Sequence, residues 1–332
     1  MNEHHKSLNI LVAGGAGYIG SVTTASLIEA GHTVTVLDNF TSGHRDAVHP
    51  EAQFVEGDIS DEHIINEICC QGINIAMHFA AFIEVGESVV NPSKYYDNNL
   101  VKSIGFFDNL IKYGVKGLVL SSTAAVYGYP DRIPLTEDAP VAPINPYGHS
   151  KMMVETVLKD YDRAYGFKSV SLRYFNAGGA FGPYGEDHNP ESHLIPLILN
   201  AVETGVPLRV FGDDYETGDG SCIRDYIHVR DLAEAHILAA RYLSDGGTSD
   251  FFNLGTGTGF SVLEVLQTVE RVIGRKVPYT ISERRTGDSP ELVASPVKAQ
   301  RVLGWAKELS GLDDIVRSAW KWRQQFPQGY ER

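Results

Sequence analysis

In the first half of the chain, short apolar runs rich in β-branched residues alternate with stretches whose apolar positions recur at helical spacing. Leu8, Ile10, Leu11 and Val12 form one run, Gly14 and Gly15 interrupt it, and Ile19, Val22, Ala25, Leu27 and Ile28 follow on one helical face. This predicts a strand, a tight turn and a helix. Thr33, Val34, Thr35, Val36 and Leu37 predict a second strand, Phe54 and Val55 a third, residues 75–79 a fourth and residues 117–122 a fifth. Helical periodicity lies between them around Ile64, Ile65 and Ile68 and again over residues 103–113, and continues over residues 150–157.

Short buried strands separated by helices predict an α/β fold of Rossmann type, a mainly parallel sheet with helices on both faces and ligands at its carboxyl edge. Past Phe175 the texture changes. Residues 178–222 are rich in Gly, Pro, Asp and Asn, with a helix over 194–203 and a strand over 208–211. Helical patterns return over 227–242, beginning near Asp231, and over 261–273. The division expected is a dinucleotide-binding unit over 1–176 and a smaller substrate-binding α/β region over 177–332, with 225–260 returning to the first unit.

The chain of 332 residues is long enough to bury a substantial core. Its net charge of −14, with lysines and arginines dispersed, argues against nucleic acid or an anionic membrane as partner. Cys69, Cys70 and Cys222 are odd in number and have no ligand-like spacing, which fits a reducing compartment. No secretory segment or long apolar run is evident, so a soluble cytoplasmic protein is expected.

Two signals carry chemistry. The first is Gly14-x-x-Gly17-x-x-Gly20, placed between a strand and a helix, where missing Cβ atoms let backbone approach a pyrophosphate at the helix N-terminus. The second predicted strand runs into Asp38, a carboxylate suited to a ribose 2′-hydroxyl and repulsive to a 2′-phosphate, so NAD is expected rather than NADP. Asp58, just after the third strand, is a candidate for the adenine amino group. The second signal is Tyr147-x-x-x-Lys151, which puts phenol and ammonium on one helical face. A nearby ammonium favours phenolate and is expected to lower the tyrosine pKa towards neutrality, making Tyr147 a general base. Thr123 ends the fifth predicted strand, where its hydroxyl is suited to hold the substrate oxygen. His188 and His193, with Glu186, Asp187 and Glu191 nearby, read as a solvated loop, and no metal site is expected.

The segments Gly14-Gly15-Ala16-Gly17-Tyr18-Ile19-Gly20, Leu37-Asp38-Asn39, Gly57-Asp58-Ile59, Tyr95-Tyr96-Asp97-Asn98-Asn99, Ser121-Ser122-Thr123, Tyr147-Gly148-His149-Ser150-Lys151, Arg173-Tyr174-Phe175-Asn176 and Arg224-Asp225-Tyr226 together resemble the UDP-glucose 4-epimerases of the extended short-chain dehydrogenase/reductase family. The resemblance extends to Pro327-Gln328-Gly329-Tyr330 and covers nearly the whole chain. It implies a tightly held NAD+ that is used and regenerated in each turnover, with Tyr147 removing the sugar 4-hydroxyl proton, Thr123 positioning that oxygen and Lys151 tuning Tyr147 and holding the nicotinamide ribose. The cofactor set it implies is Gly14, Gly17, Tyr18, Ile19, Gly20, Asp38, Asn39, Asp58, Ile59, Phe79, Ala80, Asn98, Tyr147, Lys151 and Tyr174. The UDP-hexose set is Thr123, Tyr147, Asn176, Leu194, Phe211, Arg224, Arg285, Asp288 and Leu292, and a homodimer is implied through the helix over 103–113 and the one bearing Tyr147.

Three positions depart from the familiar pattern. Ile83 stands where a lysine approaches the cofactor, His193 stands where an asparagine precedes Leu-x-Pro, and Leu292 stands where a tyrosine or cysteine governs access of N-acetylated sugars. Activity on UDP-N-acetylhexosamines is therefore an additional expectation. Ala124 and Ala125 replace the acid–base pair of sugar dehydratases, which disfavours elimination of water. A UDP-glucuronate decarboxylase, which shares the first oxidation, and a nucleotide-binding regulatory protein are the alternatives.

Overall fold

The computed structural model describes residues 7–285 and 289–330. Seven parallel strands form one sheet, in the spatial order Asp250–Leu254, Lys168–Tyr174, Gly117–Thr123, Ile75–His78, Asn9–Ala13, Thr33–Asp38 and Gln53–Glu56. The strand order reverses beside Asn9–Ala13, which opens the crevice expected of a doubly wound sheet. Alternation decides the two faces. Ile10 and Val12 join a core with Leu27, Leu232, Ala235 and Phe252, whereas Leu11 and Ala13 join Ile65, Phe106, Phe107, Leu110, Val154 and Leu158. Both faces are covered, which is why these strands read as continuous apolar runs.

On the first face the helix Tyr18–Glu29 packs against Val229–Ser244, with Val22 and Ala25 meeting Val229 and Ala233. On the second lie Glu62–Cys69, Lys102–Lys112 and Pro146–Tyr165, the last started by Asn145, whose side chain accepts from Gly148 N. In the second region the helices Leu194–Thr204, Val262–Ile273 and Leu312–Gln325 share a core through Ile198, Val265, Val269, Ile315 and Val316. Ser261 and Glu264 form a reciprocal cap at the start of the middle one.

Short strands stitch the two regions together. Leu208–Phe211 pairs with Tyr279–Ser282, Ile223–Arg224 lies between Phe260–Ser261 and Glu291–Leu292, and Asn176–Gly178 pairs with Tyr226–His228. The last pairing corrects the helix expected over 227–242. Ile227 lies in a strand, and the helix begins at Val229, where His228 accepts from Arg230 N. Backbone pairing with Asn176–Gly178 overrides the apolar spacing there. No helix among the described residues is long and apolar enough to cross a membrane. None of Cys69, Cys70 and Cys222 is in a disulfide.

Candidate active site

The glycine turn is dictated by close approach. Gly14 has a φ of +82°, and a Cβ there would lie 2.5 Å from Ala80 N; one on Gly20 would lie 2.2 Å from Gly14 O. A Cβ on Gly17 would meet nothing nearer than Gly14 O at 3.4 Å. Gly14 and Gly20 are thus required by the protein's own packing, while Gly17 faces open space as the N-cap of Tyr18–Glu29, without a side-chain cap. This is a cradle shaped for an anion at a helix N-terminus. Tyr18 is turned away from it, its hydroxyl donating to Gly179 O at 2.6 Å, and Ile19 packs into the core.

Asp38 closes the turn. Its Oδ2 accepts from Ala16 N and its Oδ1 from Phe40 N, both at 2.9 Å. Burial raises its pKa, with the backbone N–H groups of Phe40, Ala16 and Asn39 opposing. Asn39 Nδ2 donates to Asp58 Oδ2 at 3.0 Å, so the two acidic positions are linked through a residue between them. Asp58 also receives Lys102 Nζ at 2.8 Å. Burial acts to raise its pKa, but Lys102 and Ser60 prevail and hold it at about 2. Ile59 is buried behind it.

Phe79 and Ala80 leave the fourth strand with both backbone N–H groups directed at Ala13 O, at 2.8 and 3.2 Å. The following segment is clamped by Asn99, which sequence reasoning missed. Its amide receives Phe82 N and donates to Phe82 O, both at 2.9 Å, receives Asn98 Nδ2 at 3.1 Å and donates to Ser150 Oγ at 3.3 Å. Asn99 lies in the π-turn Tyr96–Val101, an irregularity common where a helix aims side chains at a site. The Tyr147 helix is thereby tied to the loop beside the glycine turn. Ile83, the residue after Phe82, is 37 % exposed.

Thr123 ends the fifth strand and Tyr147 lies in the first turn of Pro146–Tyr165; both are buried. Burial raises the Tyr147 pKa, the Thr123 hydroxyl lowers it through a hydrogen bond and the Glu84 carboxylate raises it. The lowering by Lys151 expected from sequence is overturned for the protein without ligands. Lys151 donates to Ser121 O at 2.9 Å, and burial lowers its own pKa to about 8 against the opposing charge of Glu155. Lys151 in turn reinforces the burial that holds His78 neutral, with a pKa of about 3. Tyr174 shares a hydrogen bond with Ser121 Oγ beside this group.

Behind the triad, Glu155 receives Ser122 Oγ at 2.5 Å and Arg173 Nε at 3.0 Å, and Arg173 donates to Tyr127 at 2.9 Å. This buried network joins the ends of the fifth and sixth strands to the Tyr147 helix. Glu155 did not stand out in the sequence, and Arg173 did so only within the Arg173–Asn176 segment, because their pairing depends on strand order.

Of the candidate substrate residues, Asn176, Phe211, Arg224 and Leu292 lie on the short strands. Arg285 is stacked over Phe211, its guanidinium carbon 4.5 Å from the ring centroid. Arg224 donates to Ile223 O and Ser289 O at 2.8 and 2.9 Å and is paired in register with Leu292. Asn176 donates through its side chain to Asp225 O at 3.1 Å. Leu292 packs against the cluster of Val126, Tyr127 and Leu135, as Phe175 does. Leu194 opens its helix. Asp288 lies outside the described residues. Asp225 is an unpredicted organiser, fully buried and accepting from Thr256 N, Thr256 Oγ1 and Ala294 N.

The 186–193 loop corrects its reading as solvated. The side chain of Glu186 is only 6 % exposed and that of His188 16 %, because Tyr330 covers the loop, donating its backbone N–H to Asp187 Oδ2 at 2.9 Å and accepting Gly185 N on its hydroxyl at 3.0 Å.

Residues 10–255 match the NAD dependent epimerase/dehydratase family. The chain is 48 % identical over 329 residues to the UDP-glucose 4-epimerase of Streptococcus mutans, covering 97 % of this chain and 98 % of that protein. It is similar to the crystal structure of UDP-glucose 4-epimerase from Brucella ovis in complex with NAD, with a TM-score of 0.93, 44 % identity and coverage of 98 and 99 % of the two chains. It is also similar to the Stenotrophomonas maltophila UDP-glucose 4-epimerase with bound NAD and formylated UDP-arabinopyranose, with a TM-score of 0.93, 38 % identity and coverage of 97 and 99 %. These likenesses establish that the chain belongs to the NAD-dependent epimerase/dehydratase family and, within it, to the UDP-glucose 4-epimerases.

Proposed function

We propose that the chain interconverts UDP-glucose and UDP-galactose at C4 through a 4-keto sugar. The observation that carries this reading is the Thr123 hydroxyl beside a buried Tyr147, at the carboxyl edge of a sheet whose first turn leaves Gly17 open to an anion. NAD fits that turn: Gly17 and the start of Tyr18–Glu29 hold its pyrophosphate, Asp38 its ribose, Asp58 and Ile59 its adenine end, and Phe79, Ala80, Asn98, Lys151 and Tyr174 its nicotinamide half. When bound it supplies the oxidising equivalent taken from C4 and returned to the opposite face, so net oxidation is zero.

The chain's own residues handle the proton and the geometry. Tyr147 accepts the 4-hydroxyl proton only as phenolate, a form its burial in the protein without ligands opposes, and returns the proton in the other direction, while Thr123 donates to the 4-oxygen and fixes its distance from Tyr147. Lys151, one helical turn after Tyr147, is held by Ser121 O. Arg224 and Arg285 bind the diphosphate, Phe211 stacks at the uridine, and Asn176 and Leu194 line the path between them. Leu292 is smaller than a tyrosine, so the pocket admits an N-acetyl group as a second specificity.

The test is incubation of purified protein with UDP-galactose, UDP-glucose, UDP-N-acetylgalactosamine and UDP-glucuronate separately, without added cofactor, with products identified by NMR. Inversion at C4 is expected; loss of carbon dioxide from the uronate, or no reaction even with added NAD, overturns the reading. Leu292→Tyr is expected to reduce turnover of the N-acetylated sugar relative to the hexose by about 10- to 100-fold. A homodimer through the helices Lys102–Lys112 and Pro146–Tyr165 is part of the same reading. It is supported by Val101, which ends the π-turn leading into the first of these helices, and Tyr165, which ends the second, 59 and 63 % exposed, and light scattering tests it.

A further inference from the structure

Outside the crevice, four donors converge on one point in the 186–193 loop. His193 Nδ1 lies 3.0 Å from both Glu186 Oε1 and Glu191 Oε1, and His188 Nδ1 lies 3.5 Å from Glu186 Oε1 and 3.8 Å from Glu191 Oε2. One ligand atom from each of the four residues can be chosen so that all lie within 4.8 Å of one another. From this arrangement we infer that Glu186, His188, Glu191 and His193 form a structural zinc site.

Hydrogen bonding alone accounts poorly for the geometry. A ring nitrogen presents a single in-plane direction, yet His193 Nδ1 has two carboxylate oxygens at the same short distance. His188 Nδ1 is a buried atom with no hydrogen-bond partner, although two carboxylates face it. Donors placed around a common centre have this pattern. Tetrahedral zinc at about 2.0–2.2 Å from nitrogen and oxygen requires donor–donor edges of about 3.3–3.6 Å; the four His–Glu separations are 3.0–3.8 Å and the whole donor set lies within 4.8 Å. Two imidazoles and two carboxylates neutralise the ion and suit a borderline cation. Four protein donors leave no open position, so the site is structural and takes no part in turnover.

Its place in the fold gives it a task. His193 immediately precedes Leu194–Thr204, the helix facing the substrate region, and the His188 ring stands edge-on to Tyr18, its centroid 6.3 Å away, at the start of the cofactor helix. The ion would pin the loop between the two.

Protein made without an affinity tag and purified without a metal column is dialysed against zinc chloride, desalted and assayed by elemental analysis. About one zinc per chain is expected, with zinc–nitrogen and zinc–oxygen distances near 2.0–2.2 Å by X-ray absorption and a melting temperature lowered reversibly by chelation. His188→Phe keeps the ring contacts but removes one donor, and Glu191→Gln removes one charge; each is expected to reduce retained zinc at least tenfold. Folded wild-type protein that retains no zinc, or variants that retain as much as wild type, overturns the site. The assignment does not depend on the sugar reaction, because every readout is metal content, coordination or melting.

Discussion

Lys102 Nζ lies 2.8 Å from Asp58 Oδ2, so the carboxylate that follows the third strand is held by the helix that follows the π-turn. The pair is only partly buried, with side-chain exposures of 30 and 29 %, and its contribution is correspondingly small. Lys102→Met is expected to lower the melting temperature by about 1–3 °C at neutral pH. The folded-state pKa of Asp58 is depressed from 3.8 to about 2. Its stabilisation is therefore fully present above the unfolded value and is lost as pH falls through the interval between them. Urea midpoints of wild type and variant should converge on acidification into that interval; a constant difference would mean the lysine acts by packing alone.

The three glycines of the turn are expected to fail differently. Gly14→Ala and Gly20→Ala drive a methyl into backbone at 2.5 and 2.2 Å and should destabilise the folded chain by about 3 kcal/mol or more. Gly17→Ala meets nothing nearer than 3.4 Å, so the cofactor-free protein should melt near wild type while NAD affinity drops at least tenfold. Calorimetry with and without NAD separates the two outcomes.

Lys151 is buried and its pKa is lowered to about 8. The unfolded chain binds the extra proton between that value and 10.5, so the cost to stability is full below about pH 8 and is relieved as pH rises towards 10.5. Lys151→Met should make cofactor-free protein more stable at neutral pH, by on the order of 1–3 kcal/mol, while epimerisation falls by about 100-fold or more. Denaturant titration and product NMR on the same preparation check both halves; a variant that is less stable would show the ammonium to be well compensated.

Glu155 and Arg173 are a buried pair, with side chains 12 and 4 % exposed. Glu155→Gln leaves the guanidinium without its counter-charge and is expected to cost about 3–5 kcal/mol. The network also receives Ser122, the neighbour of Thr123. Urea unfolding measures the loss, and double substitution with Arg173→Met should recover part of it, as expected when the penalty lies in the unpaired charge.

The parallel sheet and glycine turn were legible because each strand is apolar on both faces and each helix shows its own period, as with Leu11 and Val12 against Ile65 and Ile68. Tyr147, Lys151 and Thr123 were legible by type and spacing. Asn99 was not, since its role arises from a π-turn and from partners at Phe82 and Ser150. Nor was Glu84, whose effect on Tyr147 depends on the chain returning past the fourth strand. The tuning of Tyr147 was misread because spacing reports a shared helical face and says nothing of where the ammonium is held. The 186–193 loop looked solvated because its cover, Tyr330, lies at the far end of the chain.

The strand Asp250–Leu254 completes the edge of the cofactor sheet, yet it follows much of the substrate region in the chain. During synthesis the first six strands emerge with Lys168–Tyr174 unpaired on one side and without the covering helix Val229–Ser244. A nascent chain halted in the substrate region thus presents an open parallel edge capable of pairing with another chain. Fragments ending near Asn176 should aggregate, and a split version of the protein needs its break outside the span that returns to the sheet.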